Sequence, residues 1–249
     1  MEKLIYSLWR DKQAPGNPFR DDLLGTLGPE LLRLPGIHGL RLCVVDDAVA
    51  AAQGRRMESH APLPDAVLSL WVDWAGSAQV WEALLDRHVA RRQSYLVVEA
   101  EPLASRYAQP VQDGERVPGM CQVVFLCKPA ELARKDWLSI WQGSHTGIAI
   151  ETQSTFGYRQ NVVVRCFGDG LPPCDAIVEE NFPAAAMSSD HAFYQTGGDE
   201  GLLQQRMTTM MESCARFIDF EHIDVIPMSE YVLKSLPGMP RAVAGTSAG

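Results

Sequence analysis

The sequence has no run of about 18 consecutive apolar residues, so no membrane-crossing helix is expected. Its first residues, MEKLIYSLWRDK, lack the long apolar core of a signal peptide, and a cytoplasmic location is the expectation. Positive charge is in short supply: 22 Lys and Arg face 31 Asp and Glu, for a net −9. Phosphate backbones are held by clustered cations, which this chain does not have, so neither nucleic acid nor membrane is expected as a partner. Six cysteines, at 43, 121, 127, 166, 174 and 214, include no Cys-x-x-Cys pair and no histidine at ligand spacing. That pattern excludes the familiar zinc sites and reads as reduced thiols. His38, His60, His88 and His222 are scattered without metal spacing, and neither a serine nucleophile elbow nor a glycine-rich phosphate loop is present in convincing context. The expectation is therefore no metal and no cofactor.

What is present is a repeated order of elements. Met1–Trp9 alternates as a strand, with Lys3, Ile5, Ser7 and Trp9 on one face and Leu4, Tyr6 and Leu8 on the other. Asn17-Pro18 opens a helix weakened by Gly25, Gly28 and Pro29 and ended by Pro35-Gly36. GLRLCVVDDA and PDAVLSLWVDW read as strands, SAQVWEALLDRHVA as a helix capped by Ser77, and RQSYLVVEAEPL as a strand. A polar segment rich in Pro and Gly follows, and then the β-α-β-β-α-β order begins again. The divisions are residues 1–107, a linker over 108–119, a second half over 120–234 and a flexible tail over 235–249. Each half has the order of a ferredoxin-like unit. The predicted fold is α+β, with two fused units pairing antiparallel sheets into one barrel and a cavity between sheet and helices.

The second half opens with MCQVVFLCK, a short strand stopped at Lys128-Pro129. A helix follows in which Leu132, Trp137, Ile140, Trp141 and Ile148 share roughly one side, and His145 lies one turn beyond Trp141. GYRQNVVVR then returns as a strand. A strand ending in Lys-Pro, a helix carrying Trp141-x-x-x-His145, and Tyr158-Arg159-Gln160-Asn161 opening the next strand resemble the EthD family of dimeric α/β barrels, over about residues 120 to 225. The resemblance implies a barrel ordinarily built from two chains, here made by one, and a histidine at the mouth of a pocket. The first-half helix over 17–34 has neither His nor Trp at matching positions, so one pocket per chain is expected. Such barrels could associate further as a homodimer.

His145 is the candidate for proton transfer, because imidazole titrates near neutral pH. Tyr158 and Gln160 share one face of their strand and Asn161 takes the other. In CDAIVEENFP, Asp175 and Glu179 share a face and Glu180 lies opposite; Glu179, mid-strand, is the expected pocket carboxylate. The catalytic set is thus His145, Tyr158 and Glu179, with Tyr6, Trp9, Trp71, Trp141, Gln160, Asn161, Phe182 and Tyr194 as the substrate-binding set. The irregular stretch AAAMSSDHAFYQTGG could fold over the barrel mouth.

The functional expectation is a cofactor-independent lyase or isomerase acting by acid–base chemistry on an oxygenated, apolar, aromatic metabolite, for example by releasing formaldehyde or carbon dioxide. Two alternatives stand beside it. One is an oxygenase or peroxidase-like enzyme, in which His145 would ligate haem or ionise the substrate. The other is a non-catalytic carrier of a hydrophobic small molecule.

Overall fold

The computed structural model describes residues 1–11, 16–105, 111–168 and 174–236. Its first half runs β1 (Glu2–Trp9), α1 (Gly16–Asp22), a π-helical turn (Leu23–Leu27), α2 (Gly28–Leu32), β2 (Ile37–Val44), β3 (Ala66–Val72), α3 (Gln79–Leu85) and β4 (Arg91–Leu103). The second half runs β5 (Met120–Leu126), α4 (Arg134–Ile140), a π-helical turn (Trp141–His145), α5 (Thr146–Thr152), β6 (Gly157–Phe167), β7 (Ala176–Phe182), α6 (Asp190–Phe193), α7 (Glu200–Cys214) and β8 (Ile223–Lys234).

All eight strands pair antiparallel and close into a barrel in the order β1-β3-β2-β8-β5-β7-β6-β4. Each half contributes a four-stranded sheet in ferredoxin-like order, and the two sheets join at the β2–β8 and β4–β6 seams. The repeat anticipated from the sequence is thus one α+β barrel in a single chain.

Helices cover the outside of each sheet, so the strands are buried on both faces; every residue of β3 and of β7 is buried. On the first sheet, Leu4, Tyr6 and Leu8 pack outward against Leu23, Leu27, Leu31, Trp81 and Leu85. On the second, Val124, Leu126, Val178 and Val225 face Trp137, Trp141, Met210 and Phe217. Ile5, Cys43, Val67, Tyr95, Val123, Phe125, Ile177 and Ile226 fill the inside of the barrel from both halves.

The first helix runs through its glycines and Pro29 as expected, with a π turn at Leu23–Leu27, and continues as α2 to Leu32. One local expectation is corrected. Ser77 is not a cap: it lies in a short 3-10 turn, and the residue before α3 is Ala78, which makes no side-chain capping bond. The expected linker is described from residue 111 onward, where Val117 N donates to Glu230 O at 2.8 Å. Gly119 then turns the chain into β5 at φ +93°, where a Cβ would fall directly against the Phe182 carbonyl oxygen. A side chain there would meet backbone, so glycine is required. Residues 108–110 of the linker and 237–249 of the tail lie outside the described residues.

Candidate functional site

A cavity of about 340 Å³ lies between the outer face of the second sheet and its helices. Register explains its floor. Gln122 on β5 is directly opposite Glu180 on β7, and Glu180 is directly opposite Tyr158 on β6. Directly paired side chains on one face stand about 5 Å apart at Cβ, so these three form a polar row across the sheet. The next row is apolar, with Val225, Val124 and Val178 aligned. Met210, Met211 and Cys214 of α7, Phe217 beyond it, and Trp141 and His145 of the π turn complete the walls, with Phe193, Tyr194 and Arg55 also lining the space.

The π turn widens the helix by one residue over five, and both of its ends, Trp141 and His145, reach the cavity. His145 is buried, its Nδ1 lies 2.9 Å from Ser213 Oγ, and its ring centroid is 4.5 Å from that of Phe217. The ring itself lines the cavity. Burial, and then the nearby Arg216, lower the His145 pKa to about 4, so the imidazole is neutral at physiological pH. Glu180 moves the other way: burial raises its pKa to about 8, so its carboxyl is mostly protonated at pH 7. Trp141 Nε1 donates to the Tyr158 hydroxyl at 3.2 Å, and burial raises the phenol pKa above its ordinary range.

Of the residues singled out in the sequence, His145, Tyr158, Trp141 and Tyr194 come together around this cavity. Gln160 shares the outer face with Tyr158, as alternation requires, and its Nε2 donates to Thr146 Oγ1 at 2.7 Å under the helix. Phe182 stacks on the cavity residue Phe193 at 4.4 Å. The stretch expected over the barrel mouth does supply Phe193 and Tyr194, with Arg55 over the Phe193 ring at 4.3 Å and bonded to Asp190 at 2.9 Å.

The remaining residues lie elsewhere. Glu179 does not share the cavity: it is inside the barrel, 3.2 Å from Lys3 Nζ, 3.5 Å from Arg159 Nε and within reach of the Asn161 amide at 3.1 Å. Burial alone would raise its pKa, but Lys3, Arg159 and Arg41 hold it well below the usual carboxylate range. Asn161 and Trp71 belong to the same interior cluster, with Lys3 4.6 Å above the Trp71 ring. Tyr6 faces the first-half helices, accepting from Trp81 Nε1 at 2.7 Å. Trp9 lies at the barrel end, donating to Pro62 O at 2.8 Å under Arg91. Sequence reasoning missed Gln122, Cys214 and Phe217, and set Glu180 aside in favour of Glu179. Strand parity separated the two glutamates without saying which face met the cavity.

Haem does not fit the residues present. The cavity is near the small end of the range for ligand pockets, about 300–1,000 Å³. His145 is packed on Phe217, and Arg55, the cation lining the space, is already engaged by Asp190 and the Ala186 carbonyl. A macrocycle with two carboxylates has neither the room nor the counter-charges there.

No family model matches the chain, and no curated protein does. Solved structures do. The chain is similar to an anthrone oxidase-like protein, with 8% identity, 96% of each chain covered and a TM-score of 0.52. The fold is shared. Alongside it stand a protein proposed to be a monooxygenase from Lactobacillus acidophilus NCFM (8% identity, 94% of this chain and 96% of that one, TM-score 0.49) and a dye-decolorizing peroxidase from Bacteroides thetaiotaomicron (8%, 93% and 92%, TM-score 0.47). The expectation of a lyase or isomerase is thereby corrected. The description of the anthrone oxidase-like protein names an oxidation, not a lyase or isomerase reaction. Among the described residues, no helix is long and apolar enough to cross a membrane.

Proposed function

We propose that this chain is an oxygenase that uses dioxygen on a flat, apolar, aromatic compound with an acidic C–H bond, His145 taking the proton. The observation that carries the reading is the uncharged imidazole, tied at Nδ1 to Ser213 and lining a cavity walled by Trp141, Tyr158, Phe193, Tyr194 and Phe217. With its pKa lowered to about 4, the ring is unprotonated at neutral pH, and in the tautomer whose Nδ1–H donates to Ser213 its lone pair lies on Nε2. Burial also makes it a weak base on its own. The proton transfer becomes favourable when the resulting imidazolium and substrate carbanion stay paired in the same apolar space, where Coulomb attraction is strong.

The carbanion then supplies the electrons that reduce dioxygen. A methylene carbon loses one proton to His145, forms a C–O bond to dioxygen as a hydroperoxide, and loses water to become a ketone. The balance is one CH₂ and one O₂ giving one C=O and one H₂O, with no separate reductant. The EthD-like placement of a helix-borne histidine beside a strand-borne tyrosine supports the same reading, as does the anthrone oxidase-like neighbour, whose name supplies a probe.

The test is oxygen uptake with anthrone as substrate and no added cofactor. One oxygen consumed per ketone formed, with label from ¹⁸O₂ in the product, is the expected result. Uptake no faster than the uncatalysed background with anthrone and with other fused-ring methylene compounds would remove the reading.

A further inference from the structure

Glu180 is 8% exposed, and no described residue hydrogen-bonds to or pairs with its carboxyl. Its cross-strand neighbour Gln122 also has a buried Oε1 without a partner. Buried polar groups are ordinarily satisfied, and each that is not costs free energy unless a ligand or water completes it. The Gln122 oxygen is an acceptor and calls for a donor, whereas an unpartnered carboxyl at Glu180, on the floor of a cavity whose walls are mainly apolar and aromatic, marks a place for a polar atom on an otherwise apolar molecule.

The sign of that atom follows from the surroundings. Arg55, His145, Tyr158, Tyr194 and Cys214 are the other titratable or charged groups lining the cavity. Of these Arg55 is the cation, and it is already held by Asp190 and Ala186 O, so nothing stabilises a carboxylate at 180. A protonated carboxyl has an O–H to donate. We propose that Glu180, in the row with Gln122 and Tyr158, is a carbonyl-binding subsite: its carboxyl donates a hydrogen bond to an acceptor-only oxygen of a planar aromatic ligand. This deepens the oxygenase reading by naming an oxygen on its substrate. As charge moves onto that oxygen when the neighbouring C–H is deprotonated, the same bond strengthens.

Binding tests it without turnover. Anthraquinone and anthracene share a shape and differ in carbonyl oxygens, and their binding is read by quenching of tryptophan fluorescence, Trp141 being in the cavity wall. At pH 6.5 the ketone is expected to bind about tenfold more tightly than the hydrocarbon, the worth of one good hydrogen bond. Glu180→Ala should bring the ratio to parity with anthracene binding unchanged. Glu180→Gln, which keeps a donor, should preserve it.

Between pH 6.5 and 9 the ratio for the unaltered protein should fall toward parity as Glu180 ionises, while the Glu180→Gln ratio stays constant. His145 titrates near 4 and Cys214 is pushed up to about 12, while burial raises Tyr158 and Tyr194, so that window belongs to Glu180. A ratio that survives Glu180→Ala, or that falls equally with pH in Glu180→Gln, would overturn the subsite. If the ratio behaves as expected and no oxygen is consumed, only the oxygenase reading fails. If oxygen is consumed and residue 180 does not affect the ratio, only the subsite fails.

Discussion

Glu180 lies directly across the β6–β7 ladder from Tyr158, on the face of the sheet that floors the cavity. The pairing keeps a mostly protonated carboxyl next to a phenol whose own ionisation is suppressed, so the floor carries no net charge at neutral pH. An uncharged floor suits an apolar ligand, and it fixes how the protein should respond to pH.

The first prediction concerns stability. Glu180 titrates at about 8 in the fold against 4.5 as the ordinary value, so between those limits the native state holds a proton that the unfolded chain releases. Stability from this group is therefore full below about pH 4.5, falls as pH rises, and levels above about 8. Each unit of pKa difference is worth about 1.4 kcal/mol, making the total loss a few kcal/mol. Glu180→Gln cannot titrate. Urea unfolding should show that variant gaining on the unaltered protein by a few kcal/mol between pH 4.5 and 8.5; a constant difference would contradict the burial assigned here.

His145→Ala should lower the chemical step by about 10²- to 10⁴-fold, as expected for loss of a general base, with little change in substrate affinity. His88→Ala is the comparison. His88 Nδ1 is 2.7 Å from Asp22 on the first half, remote in topology from the cavity, and its loss should leave oxygen uptake near normal. Equal, small effects would remove histidine from the chemistry.

Ser213 is a positioning residue, since it touches the imidazole at 2.9 Å and does not line the cavity. Ser213→Ala should reduce kcat by roughly tenfold while KM changes little, the size expected for loss of one orienting hydrogen bond. Ser213→Thr, which restores the hydroxyl, should recover most of it. A defect in Ser213→Ala that Thr does not rescue would mark a packing effect.

Much of this arrangement was legible in the chain. Period-2 alternation in GYRQNVVVR put Tyr158 and Gln160 together and Asn161 opposite, and that is how they lie. The repeated β-α-β-β-α-β order gave the barrel because each half buries a recognisable sequence of apolar segments. Glu179 and Glu180 could not be ranked for a physical reason. In a sheet covered by helices outside and closed on itself inside, both faces are buried, so β7 offers no polar side to mark solvent or cavity. The π turns were also invisible, because one additional residue in a helical turn leaves apolar spacing nearly unchanged while it re-aims the side chains of the next turn. The difference between the halves was visible: Leu23 and Leu27 bound the first π turn, where Trp141 and His145 bound the second.

The final prediction separates the two glutamates. Inside the barrel Glu179 accepts from Lys3 at 3.2 Å and from Asn161 Nδ2 at 3.1 Å, and sits 3.5 Å from Arg159 Nε, while Arg159 also reaches Glu230 at 2.7 Å. All of these side chains are almost wholly buried, so removing the carboxylate leaves cations in the barrel short of counter-charge. Breaking a buried pair from one side costs about 3–5 kcal/mol, far more than an exposed pair contributes. Glu179→Ala should therefore lower the urea midpoint strongly at pH 7, and Glu179→Gln by nearly as much, since the amide keeps volume but not charge. Glu180→Gln should raise the midpoint under the same conditions, because it relieves a carboxyl that burial penalises. The cavity also predicts opposite effects on binding: any Glu179→Gln protein that remains folded should retain the preference for anthraquinone over anthracene, whereas Glu180→Ala should lose it. If Glu179→Gln abolished that preference in folded protein, the interior network and the cavity floor would be coupled through β7, and the separation of structural from ligand-binding carboxylate would fall.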